Sequence, residues 1–224
     1  MGSIDHARWR SSNGCGSRSE LITAMTKILS LSDVELPAIY NSRIKERFNE
    51  VDLVISCGDL PYYYLEYVIT MLNVPLYYVH GNHVTELLDN SGQLRANPWG
   101  AINLHRHVIY NRDLNLLVAG IEGSLRYSGE KYQYSSAAMW RMVLLMAPRL
   151  LLNKIVYNRY LDIFVSHSAP LHIQDDKDYP HRGVAAFRWL ISVFKPKLHL
   201  HGHIHLYNPL LSWKTQFGET LVVN

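Results

Sequence analysis

Residues 51–83 read VDLVISCGDLPYYYLEYVITMLNVPLYYVHGNH, and this stretch decides the fold. The run Val51 to Ile55 is short, apolar and rich in β-branched residues, as a strand covered on both faces must be, and it runs into Cys57-Gly58-Asp59. A helical stretch follows from Tyr62 to Leu72. Pro75 to Val79 is then a second buried run, ending on Gly81-Asn82-His83. Strands separated by a helix and each closed by a polar loop predict parallel pairing.

Working outward, Ile28 to Leu31 reads as an earlier strand and Ile39 to Phe48 as the helix that follows it, so the chain opens as a βαβ unit from Lys27. Beyond residue 83 the rhythm changes. Val108 to Tyr110 and Leu114 to Ala119 flank Asn111, Arg112 and Asp113, which is hairpin chemistry. Ser135 to Tyr157 is a long helix containing Pro148, Ile163 to Val165 a buried strand, Val184 to Phe194 a helix and Lys197 to His201 a strand. Leu206 to Trp213 with Thr220 to Val223 form a last hairpin across Gln216, Phe217 and Gly218. Open βαβ units followed by hairpins indicate an α/β fold with one mixed sheet or two.

Composition narrows the function. The chain has 224 residues, 48% hydrophobic and 18% charged, which suits one globular domain with a sizeable core. Its 22 basic and 19 acidic residues are interspersed, so no continuous basic stripe marks a long nucleic-acid partner. Cys15 and Cys57 are the two cysteines, too few for a disulfide framework, and a reducing, cytoplasmic setting is expected. The longest apolar stretch, Met139 to Val156, is broken by Arg141, Pro148, Arg149 and Lys154, so it reads as a soluble helix and no membrane partner is expected. Residues 1–24 are rich in Ser, Gly and Arg without the apolar core of a secretory signal; they read as a leader, and residues 25–224 as the domain, with Met25 as the expected start. The chain stops at Asn224, immediately after Leu221-Val222-Val223, so its last strand is expected to be cut short.

Metal-ligand residue types gather just after the predicted strands, where open α/β sheets place their sites. Asp33 closes the first strand, Asp59 the second and Asn82 with His83 the third; His167 closes a later strand, and His203 and His205 follow Gly202. Taken singly, each has an ordinary explanation: an aspartate after a strand caps a helix or makes a turn, and a lone histidine is a satisfied core residue as often as a ligand. Their order, Asp, Gly-Asp, Gly-Asn-His, His, Gly-His-x-His, each at a strand end, has no such explanation.

That order resembles the calcineurin-like metallophosphatase superfamily, over Lys27 to about Val223. The resemblance implies a four-layer αββα sandwich with two mixed sheets. It also implies two divalent ions, one held by Asp33, Glu35 and His205, the other by Asn82, His167 and His203, with Asp59 bridging. Mn²⁺, iron, Mg²⁺ or Zn²⁺ would serve, Mn²⁺ being favoured. Such a pair can share a carboxylate and a hydroxide, and the hydroxide attacks the phosphorus of a phosphate ester. His83, beside a ligand but not assigned to the metals, is the candidate to stabilise the transition state or protonate the leaving group.

The sequence departs from the family pattern at Asp33-Val34-Glu35, where the superfamily usually has Asp-x-His, and at Val84, a position that is often acidic. The pair Asp5-His6 follows no apolar strand and cannot substitute. If Glu35 is a ligand, three carboxylates and a hydroxide balance two divalent ions, which favours harder metals and a singly charged diester; if it points away, the first site is incomplete. Arg126, His181 and Arg182 are candidates to reach substrate phosphate, against a plain surface role. Tyr62 to Tyr64 are read as a helix start packed on the core, and His199 and His201 as structural.

Two functions follow. One is a phosphoesterase, with phosphodiesterase the expected activity, acting on a small phosphoester such as a nucleotide. The other is a non-catalytic protein-interaction scaffold on the same fold, motivated by the altered Asp33-Val34-Glu35 block.

Overall fold

Successive side chains of a strand point to opposite faces, so a strand covered on both sides must be apolar throughout, with its residues divided by parity between two cores. Leu53 to Ser56 are all buried. Leu53 and Ile55 pack with Tyr77, Val79, Leu104, Val118, Ile163, Val165 and Leu200, whereas Val54 packs with Tyr64, Leu65 and Val68 of the following helix. The same division recurs later in the chain, where Ile163 and Val165 join the first of these cores and Phe164 joins Met139, Phe187 and Leu190 in a third.

The computed structural model describes residues 25–83, 87–88, 92, 94–204 and 212–224. In chain order the elements are β1 (Ile28–Leu31), α1 (Ile44–Arg47), β2 (Leu53–Ser56), α2 (Tyr62–Leu72), β3 (Leu76–Tyr78), β4 (Leu87–Leu88), β5 (Leu94–Arg95), β6 (Ile102–Asn103), β7 (Val108–Asn111), β8 (Leu116–Ile121), β9 (Ser124–Leu125), β10 (Gln133–Tyr134), α3 (Ser136–Tyr157), β11 (Ile163–Ser166), α4 (Ala185–Phe194), β12 (Leu198–Leu200), β13 (Lys214–Phe217) and β14 (Thr220–Val223). One sheet has the order β1-β2-β3-β6 and is parallel throughout. The other has the order β13-β14-β12-β11-β8-β7 and is mixed, with β7 and β13 antiparallel at its two edges. The sheets face each other across one core, α1 and α2 cover the first, and α3 and α4 cover the second. This is the αββα arrangement that the resemblance implies, with one difference: of the two sheets expected to be mixed, the first is parallel among the described residues.

Helix ends follow local chemistry. The Ser135 hydroxyl accepts from Ala138 N at 3.1 Å and starts α3; α2, α3 and α4 each stop at a residue in the left-handed region, Asn73, Asn158 and Lys195. Two sequence expectations are corrected. The helix expected over Ile39 to Phe48 shrinks to Ile44–Arg47, because the Asn41 side chain accepts from Arg43 N at 3.0 Å and holds the preceding segment in turns. In the last hairpin, Gln216 and Phe217 belong to β13, and the turn is Gly218 and Glu219, with Gly218 at φ 58°. β13 is a polar edge strand, alternating exposed and half-buried, so an apolar pattern does not find it. The strand expected over Leu206 to Trp213 lies largely outside the described residues. Among the described residues no helix is long and apolar enough to cross a membrane.

Candidate metal centre

Where a parallel strand stops, its backbone must leave the sheet, and the polar groups there are free to serve a site. Asp33 comes two residues after β1, Asp59 three after β2, Asn82 four after β3, His167 one after β11 and His203 three after β12. Asp33, Asp59 and His203 sit in the left-handed region, at φ 59°, 55° and 69°. A side chain there costs roughly 1–2 kcal/mol, so surrounding contacts must hold each one in place.

Those contacts can be named. Asp33 N donates to Gly58 O at 3.1 Å, joining the first two loops. His203 N donates to both carboxylate oxygens of Asp33, at 3.1 and 3.0 Å, which ties the ends of the two sheets together. His83 N donates to Asp59 Oδ1 at 2.8 Å. Glycine is required twice by close approach: a Cβ on Gly81 would overlap the Asp59 carboxylate, and one on Gly202 would overlap Ser32 Oγ and the Asp33 carboxylate.

Asp59, His167 and His203 each offer a ligand atom, all within 4.8 Å of one another, and the two imidazole rings are 4.8 Å apart. His167 is fully buried. Its Nδ1–H donates to Cys57 O at 2.8 Å, a carbonyl that can only accept. The other ring atom, Nε2, therefore carries the lone pair in the neutral tautomer, and it faces Asn82 Oδ1 at 2.8 Å and Asp59 Oδ2 at 3.3 Å. In that tautomer Nε2 and the two oxygens are all acceptors, an arrangement that a cation relieves, whether a metal ion or a proton on Nε2. His203 adds a fourth: its Nε2–H donates to Pro180 O at 2.9 Å, leaving Nδ1 with a lone pair. Imidazole nitrogen with carboxylate and amide oxygen is a donor set for Mn²⁺, iron or Zn²⁺. The residues present fit a divalent ion.

The electrostatics agree. Burial favours the neutral form of His167, but the hydrogen bond and charge of Asp59 outweigh it, and its pKa lies above the ordinary histidine value. Burial likewise pushes the Asp59 carboxyl up, yet the His167 hydrogen bond and charge and the His83 amide bring it below the usual value. His203 is pushed down to about 4, by burial first and then by the neighbouring His167 charge, so it stays a neutral ligand.

The remaining candidates divide. Glu35 is exposed and accepts from the Tyr63 hydroxyl at 2.6 Å. His83 is exposed beside Asn82, its Nε2 3.3 Å from the Tyr127 hydroxyl. The His181 ring is 4.9 Å from that of His203, and its Nδ1 is 2.6 Å from Asp178 Oδ2. Arg126 and Arg182 line one cleft. His205 lies outside the described residues. His199 and His201 are buried, bonded to Ser166 Oγ and Gln174 Oε1 at 2.8 Å each, and Tyr62 and Tyr64 are packed in the interior.

Two features escape the sequence reading. The Tyr127 hydroxyl accepts from Asn82 Nδ2 at 2.8 Å, fixing which amide atom faces His167. Behind the same loop, the buried Glu122 is 2.9 Å from His80 Nδ1 and accepts from the Tyr134 hydroxyl at 2.6 Å, while Gly123 N donates to His80 O. Burial would raise the Glu122 pKa, but His80, His105 and Tyr134 bring it below the ordinary value. The sequence carries a signal for it, since Glu122 directly follows the apolar β8 just as the candidate ligands follow their strands.

Comparison with known proteins agrees with this geometry. The chain superposes on one solved crystal structure with a TM-score of 0.58 at 14% identity, over 88% of this chain and 89% of the other. It also superposes on the crystal structure of TT1561 of Thermus thermophilus with a TM-score of 0.53 at 18% identity, over 88% and 87%. At these identities the likeness concerns the fold. No curated protein matches the sequence. The profile of the calcineurin-like phosphoesterase family matches residues 16–207, most of the chain. With the strand-end donors in the family's order, the chain belongs to the calcineurin-like phosphoesterases, a family whose chemistry is metal-dependent hydrolysis of phosphate esters.

Proposed function

We propose that the chain is a binuclear metallophosphodiesterase acting on a small phosphodiester such as a nucleotide derivative. The observation that carries this reading is the meeting of His167, Asp59 and His203 ligand atoms within 4.8 Å of one another, with Asn82 Oδ1 2.8 Å from His167 Nε2. Asp33, Asp59, Asn82, His167 and His203, with His205, are the proposed ligands, and Mn²⁺ the ion to test first. Two divalent ions held there would supply the Lewis acidity that makes a water nucleophilic and offsets charge on the phosphoryl oxygens.

The chain's own residues do the rest. Asp59 takes the bridging position, its Oδ1 oriented by the His83 amide. Asn82 presents its oxygen because Tyr127 holds its nitrogen. His83 protonates the leaving oxygen from Nε2: the water oxygen adds to phosphorus as the water gives up a proton to solvent, the ester P–O bond breaks, and the histidine proton neutralises the departing alkoxide. A diester carries an organic group on both sides of phosphorus and needs room for the second; the cleft of about 380 Å³ lined by Arg126 and Arg182 offers it.

The test is hydrolysis of bis-p-nitrophenyl phosphate with added Mn²⁺, by the wild-type chain and by His83→Ala. Turnover that depends on Mn²⁺ and falls at least about tenfold in the variant supports the assignment. The scaffold reading draws on Glu35, which is engaged by Tyr63. Absence of turnover with Mn²⁺, Fe²⁺ and Zn²⁺ alike would favour it and end the enzyme reading.

A further inference from the structure

A cleft of about 380 Å³ has a lining that includes Arg126, Arg182, Tyr179, Ser135 and Leu171 but no carboxylate. Three arginines are engaged by other groups: Arg95 pairs with Glu66, Arg159 with Asp162, and Arg188 donates to Leu171 O. Among the described residues, the guanidinium groups of Arg126 and Arg182 have neither a hydrogen bond nor an ion pair. The carboxylates closest in sequence to Arg182 are engaged, Asp175 by Gly183 N at 3.0 Å, Asp176 by Lys177 N at 2.7 Å and Asp178 by His181.

Each of the two arginines is chain neighbour to a residue that touches the metal donors. Tyr127, next to Arg126, bonds Asn82 and approaches His83; His181, next to Arg182, packs against His203. Adjacent Cα atoms are about 3.8 Å apart, so the backbone that carries each arginine runs beside a residue in contact with the donors, and both arginines line the one cleft. Arg182 also borders Asp175 and Asp176 on its other side, but in a cleft whose own lining holds no carboxylate two guanidinium groups match an anion with several acceptor oxygens, and the planar fork of a guanidinium suits the oxygens of a phosphate. The exposed Tyr179 adds an aromatic wall.

We propose that this cleft is a second anion subsite, and that the preferred substrate is a phosphodiester bearing another phosphate beyond the scissile one, as in a short 5′-phosphorylated oligonucleotide. The identity of the cleaved bond rests on the phosphodiesterase reading above; binding of the second phosphate does not.

The experiment compares 5′-phosphorylated diadenylate with the same dinucleotide lacking that phosphate. Measured as kcat/KM with Mn²⁺, the wild-type chain should prefer the phosphorylated form at least about tenfold, or about 1.4 kcal/mol. The ratio should fall close to one in the double variant Arg126→Gln, Arg182→Gln, and part of it should survive in Arg126→Lys, Arg182→Lys, which keeps the charge and loses the fork. Cleavage of both dinucleotides at equal kcat/KM by the wild-type chain overturns the subsite while sparing the phosphodiesterase assignment. If neither is cleaved, calorimetric titration of the metal-free protein with the two dinucleotides decides. A tenfold tighter phosphorylated form, with the preference lost in the glutamine variant, upholds the subsite on its own, and equal or undetectable binding overturns it.

Discussion

Gly81→Ala tests whether the loop after β3 is shaped around the Asp59 carboxylate. The new methyl would overlap Asp59 Oδ1 and come within 2.7 Å of Asp59 N. If the carboxylate swings aside, it loses the His83 amide, a charge-assisted hydrogen bond of 2.8 Å, at about 1.5–3 kcal/mol. The crowding itself adds about 1–3 kcal/mol, because the neighbouring atom is main chain and cannot move alone. Together the loss is about 2.5–6 kcal/mol. Gly129→Ala is the comparison: that glycine is at φ 85° with nothing within 4 Å of a new Cβ, so only the left-handed backbone is penalised, by about 1–2 kcal/mol. Urea unfolding of the metal-free variants should place Gly81→Ala well below Gly129→Ala in midpoint, with similar m-values. Calorimetric titration should show Mn²⁺ affinity reduced at least about tenfold in Gly81→Ala alone. Equal midpoints together with wild-type Mn²⁺ affinity would refute the reasoning.

Tyr127→Phe removes the hydroxyl that holds Asn82 Nδ2 and approaches His83; kcat should fall about tenfold, with metal stoichiometry intact, as read by steady-state kinetics and metal analysis. Glu35→Gln alters a carboxylate turned toward Tyr63 on the exposed surface, so the number of Mn²⁺ ions bound per chain should not change, whereas Asp59→Asn should lower it. Glu122 has a folded-state pKa below its ordinary 4.5, so its contribution to stability is present above about pH 4.5 and is lost as pH falls through the folded value. Between about pH 5 and 3, Glu122→Gln should accordingly lose less unfolding free energy than the wild-type chain, measured by denaturant titration at each pH.

How far the sequence can be read depends on whether a signal is local. The β2–α2–β3 unit is legible nearly to the residue, since Leu53 to Ser56 are buried between two layers and Tyr62 to Leu72 have helical spacing. α1 reads too long because the Asn41 side chain intervenes in the backbone hydrogen bonds, and β13 escapes notice because an edge strand needs no apolar face. For the site, strand-end position marks Asp59, Asn82, His167 and His203, which the fold brings together. Position alone does not reveal where a side chain turns. Glu35 follows the strand as a ligand would, yet Tyr63, 28 residues on, provides its hydrogen bond. Tyr127 is the reverse case, a residue with no motif of its own that reaches the site across 45 residues of sequence.

The convergence of Asp59, Asn82, His167 and His203 on a cation is tested most directly by anomalous diffraction from crystals soaked in Mn²⁺. The account predicts a strong peak at about 2.0–2.3 Å from both His167 Nε2 and an Asp59 oxygen, with a second peak sharing Asp59. A fully soaked crystal with no peak among these four side chains, or with Mn²⁺ bound only elsewhere, would contradict it.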